Sequence, residues 1–513
     1  MRIASAALAL LVVLSSPSGA EAAARWVTGY YAAYSEFPPA SMPPSDVDYT
    51  ALTHVIHWPV VPLANATFVP DQYGLTATQS AEVVSRAHAV GTKAILGFGG
   101  DAATVGNGWQ GATSPANRAQ FIASMVSLMQ ARGYDGIDIN WEELTPGDQP
   151  QFTAFITQLR AALDAIVPRP LLTVVPTSGS DAAVSLVAAV QQHFDQINIQ
   201  TYVMSGPYPG WVTWFNSPIF NGGFTFPSTN GPVPSADAEV DRFTAGGIPV
   251  GNLAIGIQFD GAVWAGGAGT DTGGVSQPRQ TWNDATPPTM TFMRAADIIA
   301  NFTPANGYTK SFDADARVPW ISRDAAGGAN DRFISYDDEQ AIQEKAGYIA
   351  QKGLGGVFVF EVSGDFFPAA VGDARHPLLT ALRNAFRAAA PSAFFTLTPC
   401  RVADTRTASG PALAANTTRT FPAVGLCGIQ TGAVAIAINV TVVGATDQGD
   451  LRLFPAGGPT PSTSTINFAV NNVRANNAII PLGVGGQIAV QCDMPPGSAG
   501  TTHFLFDVAG YFK

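Results

Sequence analysis

Charge is scarce in this chain: Asp, Glu, Lys and Arg make up 12% of its 513 residues. Positive charge is scarcer still, with 26 Lys and Arg against 38 Asp and Glu and a formal net charge of −12. That balance argues against a nucleic-acid partner, because phosphate binding requires clustered cations. Cysteine is equally thin. Cys400, Cys427 and Cys492 all lie in the last quarter, so the rest of the chain stands without disulfides. An oxidising compartment would let Cys400 pair with Cys427 and would leave one thiol over. The six histidines show no ligand spacing; His54 and His57, three apart on one strand, read as core or rim residues, and neither a metal nor another cofactor is expected. No G-x-S-x-G elbow occurs, which speaks against a serine hydrolase. Long hydrophobic runs are missing too. The apolar stretch Ile3–Leu14 is well short of the roughly 20 residues a membrane-spanning helix needs. Preceded by Met1-Arg2 and followed by small residues around Ala20-Glu21-Ala22 and Ala22-Ala23-Ala24, it has the layout of a cleaved secretory signal over residues 1–24. A secreted, unanchored protein is the expectation.

What is present is an apolar fraction of 46% spread over a length that exceeds one hydrophobic core. From Trp26 to about Ala390, short β-rich runs alternate with longer amphipathic ones, the pattern of βα units around a parallel sheet. Eight strands are predicted: Trp26–Tyr34, Thr53–Val61, Ala94–Gly100, Gly136–Leu144, Leu171–Thr177, Gln196–Met204, Leu253–Gly261 and Gly356–Ser363. Helical patterns lie between them, such as Pro115–Arg132 with Phe121, Met125, Leu128 and Met129 on one stripe, and Pro150–Ile166 with Phe152, Phe155, Leu159 and Leu163. Eight such units imply a closed (β/α)8 TIM barrel. An open doubly wound sheet rarely needs eight parallel strands, and no Gly-rich phosphate fingerprint follows the first strand. Residues of about 262–337 are too many for a βα connection and predict a small insertion between strands seven and eight. After Ala390 the helical periodicity stops, and Ala433–Val443, Asp450–Pro455 and His503–Val508 read as strands of an all-β domain over 394–513. The joint Ala388-Ala389-Ala390-Pro391-Ser392 is too short for a long flexible tether.

The most informative segment is Tyr134-Asp135-Gly136-Ile137-Asp138-Ile139-Asn140-Trp141-Glu142-Glu143. In a strand its side chains alternate, so Asp138, Asn140 and Glu142 share one face while Ile137, Ile139 and Trp141 share the other. In a barrel the apolar face packs on the helices and the polar face looks at the axis, near the C-terminal rim where barrel catalysis is built. Glu143 points the other way and is not expected to be the acid. A single strand carboxylate would read as part of a buried polar network. Three polar residues in register favour a site. A carboxylic acid beside another carboxyl group and a low-dielectric wall is suited to protonate a glycosidic oxygen.

The segment resembles the D-x-x-D-x-D-x-E signature of family 18 glycoside hydrolases, the chitinase family, with Asp135, Asp138 and Glu142 matching and Asn140 in place of the third Asp. Further matches run in order along the barrel. Gly97-Phe98-Gly99-Gly100 resembles S-x-G-G on strand three, and Gln200-Thr201-Tyr202-Val203 resembles M-x-Y-D on strand six. Leu253–Gly261 is similar to the seventh-strand pattern and Gly355–Glu361 to the eighth-strand G-G-v-m-x-W-E. The stretch Ser205–Trp214 resembles a rim loop of secreted bacterial members. The resemblance implies substrate-assisted retaining hydrolysis without a second carboxylate nucleophile. Glu142 would act as acid and then base, Asn140 would orient the acetamido group, Asp138 would support both from behind, and Tyr202 would hydrogen-bond the attacking carbonyl oxygen. Tyr30, Phe98, Gly99, Gly100, Gln200, Trp211, Trp214, Asp260 and Phe360 are the candidate substrate contacts, with Trp58 and Trp109 weaker ones. Asp135, Cys400 and Cys427 are expected to be structural.

The departures from the family pattern cluster around one pocket: Gly97, Asn140, Val203, Asp260 and Phe360. Asn140 can accept a hydrogen bond from an acetamido N–H but cannot offset the positive charge of an oxazolinium-like intermediate. Slower turnover and an acid-shifted pH optimum are expected. Phe360 replaces a tryptophan and stacks over less area. The partner implied is a neutral N-acetylglucosamine-containing polysaccharide, met by a monomer. A non-hydrolytic binder on the same barrel and an endo-β-N-acetylglucosaminidase are the alternatives. The C-terminal module, with Thr396–Arg401, Asp404-Thr405-Arg406 and Arg474–Asn477, resembles a β domain recurring at the ends of secreted bacterial proteins; all nine tryptophans fall between residues 26 and 320, so it lacks a stacking platform.

Overall fold

The eight β-rich runs form parallel strands that close on themselves. In the computed structural model, which describes residues 25–142, 144–325, 328–386, 394–458 and 460–513, seven come first: β1 (Trp26–Ala32), β2 (His54–Val60), β3 (Lys93–Gly100), β4 (Gly136–Trp141), β5 (Leu171–Val174), β6 (Gln196–Ile199) and β7 (Leu253–Gln258). An insertion contributes β8 (Asp260–Gly266), β9 (Pro288–Arg294), β10 (Thr309–Asp313), β11 (Val318–Arg323) and β12 (Arg332–Ser335). The eighth barrel strand, β13 (Gly356–Phe360), then pairs with both β7 and β1 and completes the ring. Residues 1–24, read above as a secretory signal, Glu143 and the joint at 387–393 lie outside the described residues. No helix among the described residues is long and apolar enough to cross a membrane.

Helices pack around the ring, among them Arg118–Ala131 and Gln149–Asp164, which bury the apolar stripes expected of them apart from half-buried Leu128. Their starts carry local signals. Thr76, Ser180, Ser235 and Asp338 each accept the backbone N–H three residues on, as N-caps do. The first connection departs from the regular pattern: between β1 and β2 the chain makes three short 3-10 turns and no α-helix. Four prolines between Phe37 and Ser45 explain it, since proline removes the N–H a helix interior needs. The helix Pro377–Phe386 covers part of that flank instead. Arg383 pairs with Asp48 at 2.7 Å, Arg375 with Asp46 at 3.0 Å, and His376 bonds the Asp46 carbonyl.

The insertion is one antiparallel sheet in the order β10-β11-β12-β8-β9. Its apolar face and the loop after β6 share a cluster built on Trp214, Phe215, Trp264 and Phe333. The chain divides into two compact units, Met1–Arg387 and Ala388–Lys513. In the second, two antiparallel sheets enclose a separate core that includes Ile436, Val440, Val490 and Phe506. Cys400 and Cys427 are disulfide-bonded there, while Cys492 is a buried thiol pushed up to about 12 by burial and therefore inert.

One glycine sets the spacing between β3 and β4. Gly99 adopts a φ of +140° opposite Asn140, and a Cβ at its position would lie 1.9 Å from the Asn140 carbonyl oxygen. Backbone cannot yield by that much. Gly99→Ala is therefore expected to lower stability by about 3 kcal/mol, measured by denaturant unfolding.

Candidate active site

Strand parity decides which side chains meet inside the barrel. On β4, Ile137, Ile139 and Trp141 join the core shared with the helices, and Asp138 and Asn140 face inward. On β3 the same alternation turns Gly97 and Gly99 inward and sends Phe98 outward, where it is fully buried and packs edge-on against Phe121. Phe98 is thus no substrate contact. The sequence reading had grouped it with its glycine neighbours, but adjacent strand residues face opposite sides.

Asp138 sits at the bottom of the site with no exposed surface. Its two oxygens accept from the Tyr30 hydroxyl of β1 and the Thr173 hydroxyl of β5, each at 2.5 Å. Burial raises its carboxyl from the ordinary range to about 6, against the opposing pull of those two donors. Burial also pushes Tyr30 and Tyr202 well above the usual phenol range, so both keep their protons and remain donors. One pleat above Asp138, Asn140 is 3% exposed, and its side-chain oxygen is buried without a hydrogen-bond partner among the described residues. Glu142 follows at the strand end, half-buried.

These residues open into a cleft of about 450 Å³ at the C-terminal ends of the strands. Asn140, Glu142, Gln200, Tyr202, Tyr30 and Phe360 all line it. Phe360 is the aromatic centre of the wall, with ring centroids 5.8 Å from Tyr30, 5.8 Å from Trp58 and 6.1 Å from Tyr202. Among the charged side chains of the described residues, Asp101 and Glu142 line the cleft. The lining also includes Gln258, Tyr34 and Thr177, which sequence reasoning did not single out. A signal existed for Gln258: it is the one polar residue on the inward parity of β7, at the rim end.

Other candidates lie elsewhere. Trp214 is fully buried, donates its indole N–H to the Pro234 carbonyl at 2.8 Å, and has no free face for a sugar. Trp211 packs on Phe226 and Tyr208 beside the insertion. Trp109 stacks on Trp141 at 5.1 Å in the outer core. Gly100 packs against Val105, and Asp260 opens β8 opposite Arg294, outside the cleft lining, with its carboxyl raised by burial to about 6. Asp135 lies at the far end of β4, where one oxygen accepts the Ala94 N–H at 2.8 Å and meets His88 at 2.7 Å. Val203, by contrast, does line the cleft; it holds a φ of +56°, a left-handed conformation costly for a β-branched residue, and is 48% exposed. His57 bonds Tyr134 and Gln79 in the core, and among the described residues no cluster of His, Cys, Asp and Glu could hold a metal.

The raised Asp138 carboxyl carries a pH signature. An acid whose folded value exceeds its unfolded one binds its proton more tightly when folded, so its burial penalty grows as pH rises from about 4 and is complete above about 6. Asp138→Asn has no such titration. The stability difference, variant minus wild type, should move in the variant's favour by about 2 kcal/mol between pH 4 and 7 in chemical denaturation.

Comparison with known proteins bears on the family and the fold. The chain is 31% identical over 283 residues to chitinase A1 of Niallia circulans, covering 50% of this chain and 38% of that protein. It is 26% identical over 346 residues to a class V chitinase of Arabidopsis thaliana, covering 64% and 84%. The match thus spans well under half of the Niallia protein. A group IV chitinase from Ostrinia furnacalis, solved with allosamidin, shares the fold with a TM-score of 0.60 at 19% identity, over 70% of this chain and 98% of that one. The sequence profile described as glycosyl hydrolases family 18 matches residues 27–365, and the chain belongs to that family.

Proposed function

We propose that the barrel is a secreted retaining glycosidase that hydrolyses β-1,4-linked N-acetylglucosamine polymers, with Glu142 as acid and then base. One observation carries the reading: Glu142, Asn140 and Tyr202 line a single cleft above a buried Asp138. Glu142 gives its proton to the glycosidic oxygen as that C–O bond breaks. The acetamido carbonyl oxygen of the same sugar forms the new bond to the anomeric carbon. Water then opens this intermediate while Glu142 takes back a proton, so no second carboxylate is needed. Tyr202, kept protonated by burial, is a donor for the acetamido oxygen. The unpartnered Asn140 oxygen is an acceptor for the acetamido N–H. Phe360 offers an apolar face to the sugar ring.

A second reading, an oligosaccharide-binding protein without turnover, draws support from Asn140 itself. An amide holds the acetamido group but adds no negative charge to balance a cationic intermediate. Hydrolysis and binding of a chitin tetramer by the full chain separate the two. Glu142→Gln is expected to cut kcat by about 10²- to 10⁴-fold while affinity stays within a few fold. Binding without cleavage by both forms would establish the second reading. Asn140→Asp places a negative charge beside Glu142 that opposes loss of its proton; kcat should rise about tenfold and the pH optimum should move upward, read from pH–rate profiles. An unchanged profile would defeat this account of Asn140.

A further inference from the structure

We propose that Lys345 is a positioning residue for Tyr202, acting through Ser217; the inference rests on the role given to Tyr202 above. Strand β6 ends at Ile199 and a last parallel bridge joins Gln200 to Thr177, so Tyr202 stands two residues past the last paired position. Something else must hold it. On one side, the Thr201 hydroxyl donates to the Gly256 carbonyl at 2.9 Å and accepts the Gly256 N–H at 2.8 Å. On the other, residues 201–204 are fastened to residues 216–217. The Ser217 hydroxyl donates to the Thr201 carbonyl at 2.9 Å, the Val203 N–H donates to the Asn216 side-chain oxygen at 3.2 Å, and the Met204 N–H donates to the Asn216 carbonyl at 3.0 Å. This fastening holds Val203 in its left-handed conformation.

Lys345, on the helix Glu339–Lys352, is the charged end of that clamp. Its ammonium is fully buried and donates to Asp337 at 2.5 Å and to Ser217 at 2.8 Å. Because the ammonium can only donate, the Ser217 hydroxyl must accept from it and turn its own proton to the Thr201 carbonyl. The direction of the relay is thereby fixed. A buried ion pair of this kind adds little net stability over an apolar pair of the same volume, so its effect is sought in geometry.

The test is a double-mutant cycle on hydrolysis of the chitin tetramer by the full chain. Ser217→Ala and Lys345→Met should each lower kcat roughly tenfold with KM within about twofold, because a catalytic group displaced by a fraction of an ångström loses rate before affinity. In a Tyr202→Phe background each should cost less than about twofold more. Equal losses in both backgrounds would overturn the proposal, as would a loss confined to thermal stability. If Lys345→Met does not fold, Ser217→Ala, which leaves the ion pair intact, decides alone. If the wild type binds the tetramer without cleaving it, the hydrolytic reading fails. The same cycle is then read in Kd, where the same coupling to Tyr202 is expected and its absence would overturn the clamp.

Discussion

A carboxyl group sealed in the middle of a parallel barrel has to be met by donors from the surrounding strands, and Asp138 imposes that demand on the whole site. Tyr30 reaches it across the barrel interior from β1, and Thr173 meets it from the adjacent β5. The two hydroxyls bind three strands to one point. On the neighbouring β3 the inward positions are glycines: a Cβ at Gly97 would press on Ile56 and Trp58, and one at Gly99 on Asn140. With Asp138 pinned, the pleat of β4 sets the height of everything above it. Asn140 comes one step up at the base of the cleft, and Glu142 one step further at the rim.

Much of this was legible in the sequence because both signals involved are local. Alternation along Ile137–Trp141 gives the inward face, and the βα rhythm gives the barrel with its insertion and the following β module. Less legible was anything decided by a partner distant in sequence. Trp214 reads as a rim aromatic, yet the insertion that buries it begins some fifty residues later. Phe98 is a different case: strand parity alone turns it away from its glycine neighbours, and the helix bearing Phe121 supplies the core that receives it. The missing first helix was visible in principle, since the prolines that prevent it stand in Phe37–Ser45. Lys345 carried no signal at all. A lysine on an amphipathic helix looks solvated until Asp337 and Ser217 are found beside it.

The cleft is built more from amides and aromatics than from charge. Asn140, Gln200 and Gln258 contribute neutral hydrogen-bonding groups, and Phe360 gathers Tyr30, Trp58 and Tyr202 around it. Such a surface suits the polymer proposed as substrate, which carries both apolar ring faces and amide groups. Charge enters this lining through Asp101 and Glu142.

The seam of the barrel orders events in time. β1 finds its second partner only in β13, more than 300 residues later, and the proline-rich flank beside β1 is covered by the helix Pro377–Phe386. A chain still being made therefore carries two unpaired parallel edges, on β1 and β7, until nearly the whole unit has emerged. Topology alone keeps such a chain unclosed for most of its journey. Its exposed edges are what any chaperone escorting it would have to shield.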